Sequence, residues 1–217
     1  MSNQLAPGLL IASPPLGDPN FDRTVVLLAI HNAHGALGFV VNRLAPLQLG
    51  ELLGLAGYGE GPGDEALGAV RGPVFVGGPV EPSSGWVLGT RTDLGLPARA
   101  AGAGSDAGAL AADADGVIPV GDHLVVTSSR NAFDAIARRA KDGGNAAGDA
   151  RQLVLLGYSG WGPGQLEGEI AHGSWLPAPL DETILFDTEA EARWERTFAS
   201  LGLSALGAIG MRTVGEA

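Results

Sequence analysis

Val25-Val26-Leu27-Leu28-Ala29-Ile30-His31-Asn32-Ala33-His34-Gly35-Ala36-Leu37-Gly38-Phe39-Val40-Val41-Asn42 is the stretch whose reading decides the fold. Its first six residues are apolar without alternation, so Thr24–His31 reads as a strand covered on both faces. A second apolar run, Ala36–Asn42, follows after Asn32-Ala33-His34-Gly35. A turn that short predicts an antiparallel hairpin. Outward from it, apolar runs predict strands at Leu9–Ser13, Val74–Gly77, Trp86–Thr90, Leu124–Thr127, Leu153–Tyr158 and Ile184–Phe186.

Helical spacing appears in four places. Asn131–Ala140 repeats Phe133, Ile136, Ala137 and Ala140 on one face. A helix opened by Pro163 pairs Leu166 with Ile170 and stops at Gly173. Thr188-Glu189-Ala190-Glu191 spells a capping box, with Trp194, Phe198 and Leu201 as the buried stripe and Gly202 as the stop. A short helix at Leu47–Leu53 ends at Gly54. Hairpins mixed with strand-to-helix units predict an α+β fold in a single domain over residues 5–215. Gly- and Ala-rich loops interrupt it at 54–72, 97–116 and 141–150.

Composition excludes several functions before any motif is weighed. The 217 residues carry 13 Lys plus Arg against 24 Asp plus Glu, a net charge of −11, which argues against duplex DNA as a direct partner. With no cysteine, thiolate nucleophiles, disulfides and cysteine-bound zinc or iron–sulfur centres are ruled out. The apolar runs are strand-sized, far short of the ~20 residues of a membrane helix. Met1 to Pro7 lacks the basic start of a secretory signal, so a cytoplasmic protein without a membrane partner is expected.

Two junctions can carry chemistry. In the first, Gly157-Tyr158-Ser159-Gly160-Trp161-Gly162-Pro163-Gly164 reads as strand, glycine-rich turn and helix, where free N–H groups gather and can hold an anion. Against this, it matches no phosphate-loop fingerprint, and the glycines also suit a tight turn under Trp161. It nearly spells a nucleophile elbow, but Trp161 stands where the second glycine belongs, so no catalytic residue is assigned. The second junction, Thr127-Ser128-Ser129-Arg130-Asn131, offers hydroxyls and a guanidinium at a strand-to-helix step, with ordinary N-capping by Ser129 or Asn131 as the alternative. The candidate ligand-binding residues are therefore Thr127, Ser128, Ser129, Arg130, Gly157, Ser159, Gly160, Trp161, Gly162 and Gly164. His31 and His34, with Asp18 and Asp22 nearby, suggest only two convergent ligands, so neither a metal nor a cofactor is expected. The acidic residues Asp181, Glu182, Asp187, Glu189, Glu191 and Glu195 read as a solvated face.

Taken in order along the chain, these segments resemble the YqgE/AlgH family of bacterial proteins. The resemblance rests on Leu10-Ile11-Ala12-Ser13-Pro14 with Asp18-Pro19-Asn20-Phe21, on His31-Asn32 with Gly35 to Asn42, and on Val74-Phe75-Val76-Gly77-Gly78-Pro79-Val80. It continues through Gly85-Trp86-Val87-Leu88, Thr127-Ser128-Ser129, Gly157 to Glu167, Trp175-Leu176, Ile184-Leu185-Phe186-Asp187 and Arg193-Trp194. It implies an α+β domain with helices flanking a bifurcated sheet, a cytoplasmic setting and no established activity. Some members carry a transcriptional-regulator label. Two departures stand out: Ser159 replaces the family's usual alanine, and Gly210-Met211-Arg212-Thr213-Val214 replaces its usual Gly-His ending. The expected role is a binding or regulatory protein with a protein or small-molecule partner. The alternative is a small-molecule enzyme or anion-binding domain built on the 157–164 turn.

Overall fold

In the computed structural model, residues 5–58, 70–98, 116–141 and 151–204 are described. The stretch read first is a hairpin: β2 (Val25–Asn32) pairs antiparallel with β3 (Gly35–Val40), and Asn32 stands opposite Gly35. The other strands are β1 (Gly8–Ala12), β4 (Leu44–Gln48), β5 (Pro73–Val76), β6 (Val80–Thr90), β7 (Val117–Val120), β8 (Leu124–Thr127), β9 (Leu153–Trp161) and β10 (Trp175–Pro179). They form one connected sheet in the order β10-β1-β2-β3-β9-β6-β8-β7, with a β4–β5 branch attached to β9. All pairings are antiparallel except β5 with β9. Among the described residues five α-helices flank it: α1 (Leu49–Leu55), α2 (Arg130–Lys141), α3 (Gln165–Ala171), α4 (Glu182–Phe186) and α5 (Arg193–Ser200). The fold is α+β, as the hairpins and helical stripes predict.

The sheet curls until β2 touches β7, which creates an inside and two outsides. Leu9, Leu27, Phe39, Phe75, Leu88, Val126 and Leu155 fill the inside together with Leu185, Trp194 and Phe198 from α4 and α5. One outer face packs Val74, Val87, Val125 and Val154 against α1 and α2. The other packs Leu10, Val26, Leu28 and Val40 against Trp161, Trp175 and Leu166. Successive side chains of β2 thus enter different cores, which is why its sequence shows no alternation.

Several expectations change. Ile184–Phe186 is not a strand: it lies in α4, whose cap is the Asp181 carboxylate accepting from the N–H groups of Thr183 and Ile184 at 2.8 and 3.3 Å. Thr188 does not form the expected capping box. Its hydroxyl donates back to the Thr183 carbonyl, and a 3-10 turn at Ala190–Ala192 leads into α5. The stripe itself holds, with Trp194 and Phe198 buried. Strands β4, β7 and β10 escaped the reading because Pro46, Pro119, Pro177 and Pro179 interrupt them. The Gly- and Ala-rich loops fall mostly on residues 59–69, 99–115 and 142–150, and the divergent ending on 210–214. All of these lie outside the described residues.

Candidate functional site

The site grows from the place where the sheet divides. One edge of β9 follows β6, while the other is shared: Ser159–Trp161 pair with β3, and Val154–Leu156 pair with β5. Gly157 stands at the split with φ +70°, a conformation that favours glycine. A β-carbon there would meet the Gly78 and Val80 carbonyls at 2.6 and 2.8 Å. Gly77 completes the crossing, accepting from the Val40 N–H at 2.7 Å and donating to the Leu156 carbonyl at 2.7 Å. The glycine-rich segments are therefore what lets two backbones touch where the sheet forks.

Beside the fork, between the β4–β5 branch, the start of β9 and the chain from α4 to α5, lies a cleft of about 600 Å³. Leu44, Leu47, Phe75 and Phe186 give it apolar walls, and Gln48, Gln152 and Thr188 line it with polar groups. Arg193, the first residue of α5, reaches it from within the fold and is only 5% exposed. Its Nε donates to the Thr188 carbonyl at 2.9 Å, its Nη1 to the Val41 carbonyl, and its guanidinium carbon lies 5.0 Å from the Phe75 ring centroid. Asn42 explains why the Val41 carbonyl is available. Its side chain takes the Val25 N–H at 2.8 Å, replacing the ladder partner that Val41 would have been. Burial brings the Arg193 guanidinium down to about 10, while the Glu189 and Glu191 carboxylates pull it back up. It is a cation at neutral pH. Arg151 is the second guanidinium of the cleft, but Asp187 holds it at 2.7 Å and Glu182 at 3.7 Å.

The residues singled out from the sequence are placed in two other neighbourhoods. Thr127 is fully buried, its hydroxyl donating to the Gly116 carbonyl at 2.8 Å and accepting the Ser129 N–H at 3.0 Å. Ser129 caps α2 by accepting the Asn131 N–H at 3.3 Å. Ser128 and Arg130 line a pocket of about 290 Å³ with Tyr58, Phe133 and Leu156, and the Arg130 guanidinium lies over the Tyr58 ring. Of the Gly157–Gly164 segment, Gly157 lies at the fork and the strand continues through Ser159 and Gly160 to Trp161. The turn is thus shorter than its sequence suggests. The Ser159 hydroxyl is 1% exposed and donates to the Gly77 carbonyl at 3.4 Å. Trp161 packs in the outer core with Leu166 and Trp175, its Nε1 donating to Glu169 at 2.9 Å. Gly162 gives its N–H to the Gln165 side chain at 3.0 Å, and Gly164 takes φ +74° ahead of α3. The Thr127–Asn131 junction thus leads into α2 of one outer core, while Trp161 and Leu166 belong to the other.

His31 bonds Glu167 at 3.1 Å, His123 bonds Glu182 at 3.0 Å and His172 bonds the Gly168 carbonyl at 2.7 Å. Among the described residues no three His, Asp or Glu side chains converge as metal ligands. No described helix is long and apolar enough to cross a membrane. Sequence reasoning missed Arg193 as a site residue. The available signal was a lone arginine between Trp194 and an acidic run, with no other Lys or Arg back to Gln152.

A protein-family model described as AlgH-like matches residues 9–206. A UPF0301 protein of Anaeromyxobacter sp. (strain Fw109-5) is 41% identical over 200 residues, 92% of this chain and 89% of its own. One from Ruegeria pomeroyi is 38% identical over 198 residues, 91% of this chain and 92% of its own. The solution structure of the AlgH protein from Pseudomonas aeruginosa superposes with a TM-score of 0.66 at 31% identity, covering 94% of this chain and 92% of that one. A crystal structure of a Corynebacterium diphtheriae protein gives 0.55 at 19% identity over 90% of this chain and 88% of that one, a likeness of fold alone.

Proposed function

Since the chain belongs to the AlgH-like family of bacterial proteins, we propose a function from its own geometry: it is a binding protein that takes a small anionic ligand in the cleft beside the fork. The observation that carries this reading is Arg193. A buried guanidinium is costly unless something is gained from it. Its two partners are neutral carbonyls, and it lines a cleft whose volume lies within the usual ~300–1,000 Å³ of ligand sites. A binding role is favoured over catalysis because the Ser159 hydroxyl is enclosed and bonded to a carbonyl, which leaves it no path to a substrate.

A regulatory role would then be exercised in the cytoplasm through this ligand or a protein partner. Net charge −11 disfavours direct contact with duplex DNA.

Titration of the ¹⁵N-labelled chain with 3-phenylpropanoate, a carboxylate with an apolar body, tests the cleft. Saturable amide shifts are expected at Leu47, Gln152, Thr188 and Arg193, and Arg193→Lys is expected to weaken them by presenting a point charge in place of the fork. Shifts that are absent, or centred on Ser128 and Arg130, refute the assignment.

A further inference from the structure

The charges around this cleft are not all spoken for, and the unpaired ones differ in sign and depth. Arg193 uses Nε and Nη1 on the Thr188 and Val41 carbonyls. Its Nη2 has no hydrogen-bond partner among the described residues, and it is not among the buried unpaired atoms, so it opens toward the cleft it lines. Among the described residues no carboxylate lies within ion-pair distance of it. Glu189 and Glu191 line the same cleft, are exposed, and have no hydrogen bond or ion pair among the described residues. Arg151, Asp187 and Glu182 neutralise one another to one side. What remains is one cationic donor at depth and two carboxylates nearer solvent, with Leu47, Phe75 and Phe186 as apolar wall.

We propose that the ligand is a zwitterion, an amino acid with an apolar side chain, whose carboxylate meets Arg193 and whose ammonium meets Glu189 and Glu191. The inference rests on the cleft reading above, keeps the carboxylate that Arg193 receives and adds an ammonium to the ligand. A dianion such as phosphate meets two like charges on entry, and the single guanidinium balances only half of its charge. A simple cation suits the rim but leaves the guanidinium uncompensated and adds a like charge beside it. A neutral ligand covers three charges without pairing any, at a desolvation cost. A zwitterion pairs both signs, and the apolar walls receive its side chain.

Three probes of nearly one shape separate the possibilities: L-phenylalanine, 3-phenylpropanoate, which lacks the ammonium, and 2-phenylethylammonium, which lacks the carboxylate. Calorimetry and amide shifts are expected to give L-phenylalanine an affinity at least about tenfold above either analogue, the scale of one charge-assisted hydrogen bond. Glu189→Gln with Glu191→Gln, two exposed changes that leave Arg193 in place, is expected to remove its advantage over 3-phenylpropanoate. Equal or tighter binding of 3-phenylpropanoate by the unmodified protein overturns the zwitterion and leaves the anion site standing. Tightest binding of 2-phenylethylammonium overturns both the zwitterion and the role of Arg193. No cleft shift with any probe overturns the zwitterion together with the cleft.

Discussion

Replacing Trp161 with alanine tests the outer core at the point where β9 meets α3. The ring is 5% exposed, stacks on Phe21 with centroids 6.4 Å apart, and meets Trp175 edge-on at 5.9 Å. Its Nε1 and that of Trp175 both donate to one oxygen of Glu169, at 2.9 and 2.7 Å, while Gln165 donates to the other at 2.8 Å. Emptying the site removes roughly 150–250 Å² of buried surface, which at about 25 cal/mol per Å² amounts to roughly 4–6 kcal/mol. That figure is an upper bound, because alanine keeps its β-carbon and the unfolded chain already hides part of the ring. Glu169 retains two donors, so no orphaned charge adds to the loss. The expected cost is about 3–5 kcal/mol, the range for an emptied aromatic site, which a urea slope of about 2 kcal/mol per M turns into a midpoint fall of roughly 1.5–2.5 M. Trp161→Phe keeps an aromatic ring in the site but gives up one N–H and part of the packing, so about 1–2 kcal/mol is expected. A Trp161→Ala midpoint equal to wild type refutes the reasoning, since a ring that costs nothing to remove is not anchoring the junction.

Gly157→Ala is expected to cost about 2–4 kcal/mol in the same urea assay, combining a left-handed backbone with carbonyls too close for a β-carbon. Gly162→Ala, whose β-carbon would meet only the Gln165 side chain at 3.8 Å, is expected to cost under about 1 kcal/mol. Burial lowers the Arg193 pKa to about 10, so its charge penalises folding below that pH and the penalty eases as pH rises through it. Anion affinity measured by calorimetry should accordingly stay level between about pH 6 and 9 and fall only above about 10. In a gel-shift experiment at physiological salt the protein is expected to leave duplex DNA unretarded. A tight, salt-sensitive shift would refute that.

Elements that bury side chains by pattern were legible, and elements set by single hydrogen bonds were not. The Val25–Ile30 run and the Phe133–Ala140 stripe announce themselves through periodicity, and the structure returns β2 and α2 within a residue or two of the reading. The three residues Ile184–Phe186 are too short for a period, so the single Asp181 cap decides helix over strand. Gly77, Gly78 and Gly157 were visible as glycines, but their partners lie some eighty residues apart. Nothing local says that they face each other rather than a ligand. Arg193 was harder still. Its role depends on a carbonyl freed by Asn42 more than a hundred residues away, a relation that only the folded chain creates.

The proline-broken strands have a consequence for the protein in a crowded solution. Strands β10, β7 and β4 end the sheet and its branch, and they carry Pro177 and Pro179, Pro119 and Pro46 respectively. Each proline removes a backbone donor, so a second chain laid alongside finds an incomplete row of hydrogen bonds. The continuously apolar segment Val25–Ile30, of the kind that self-associates when exposed, sits two strands in from β10 and is reached only by unfolding. Growth of fibrils from the native state is thereby starved of a template, and it should begin only when denaturant or heat has first opened the sheet.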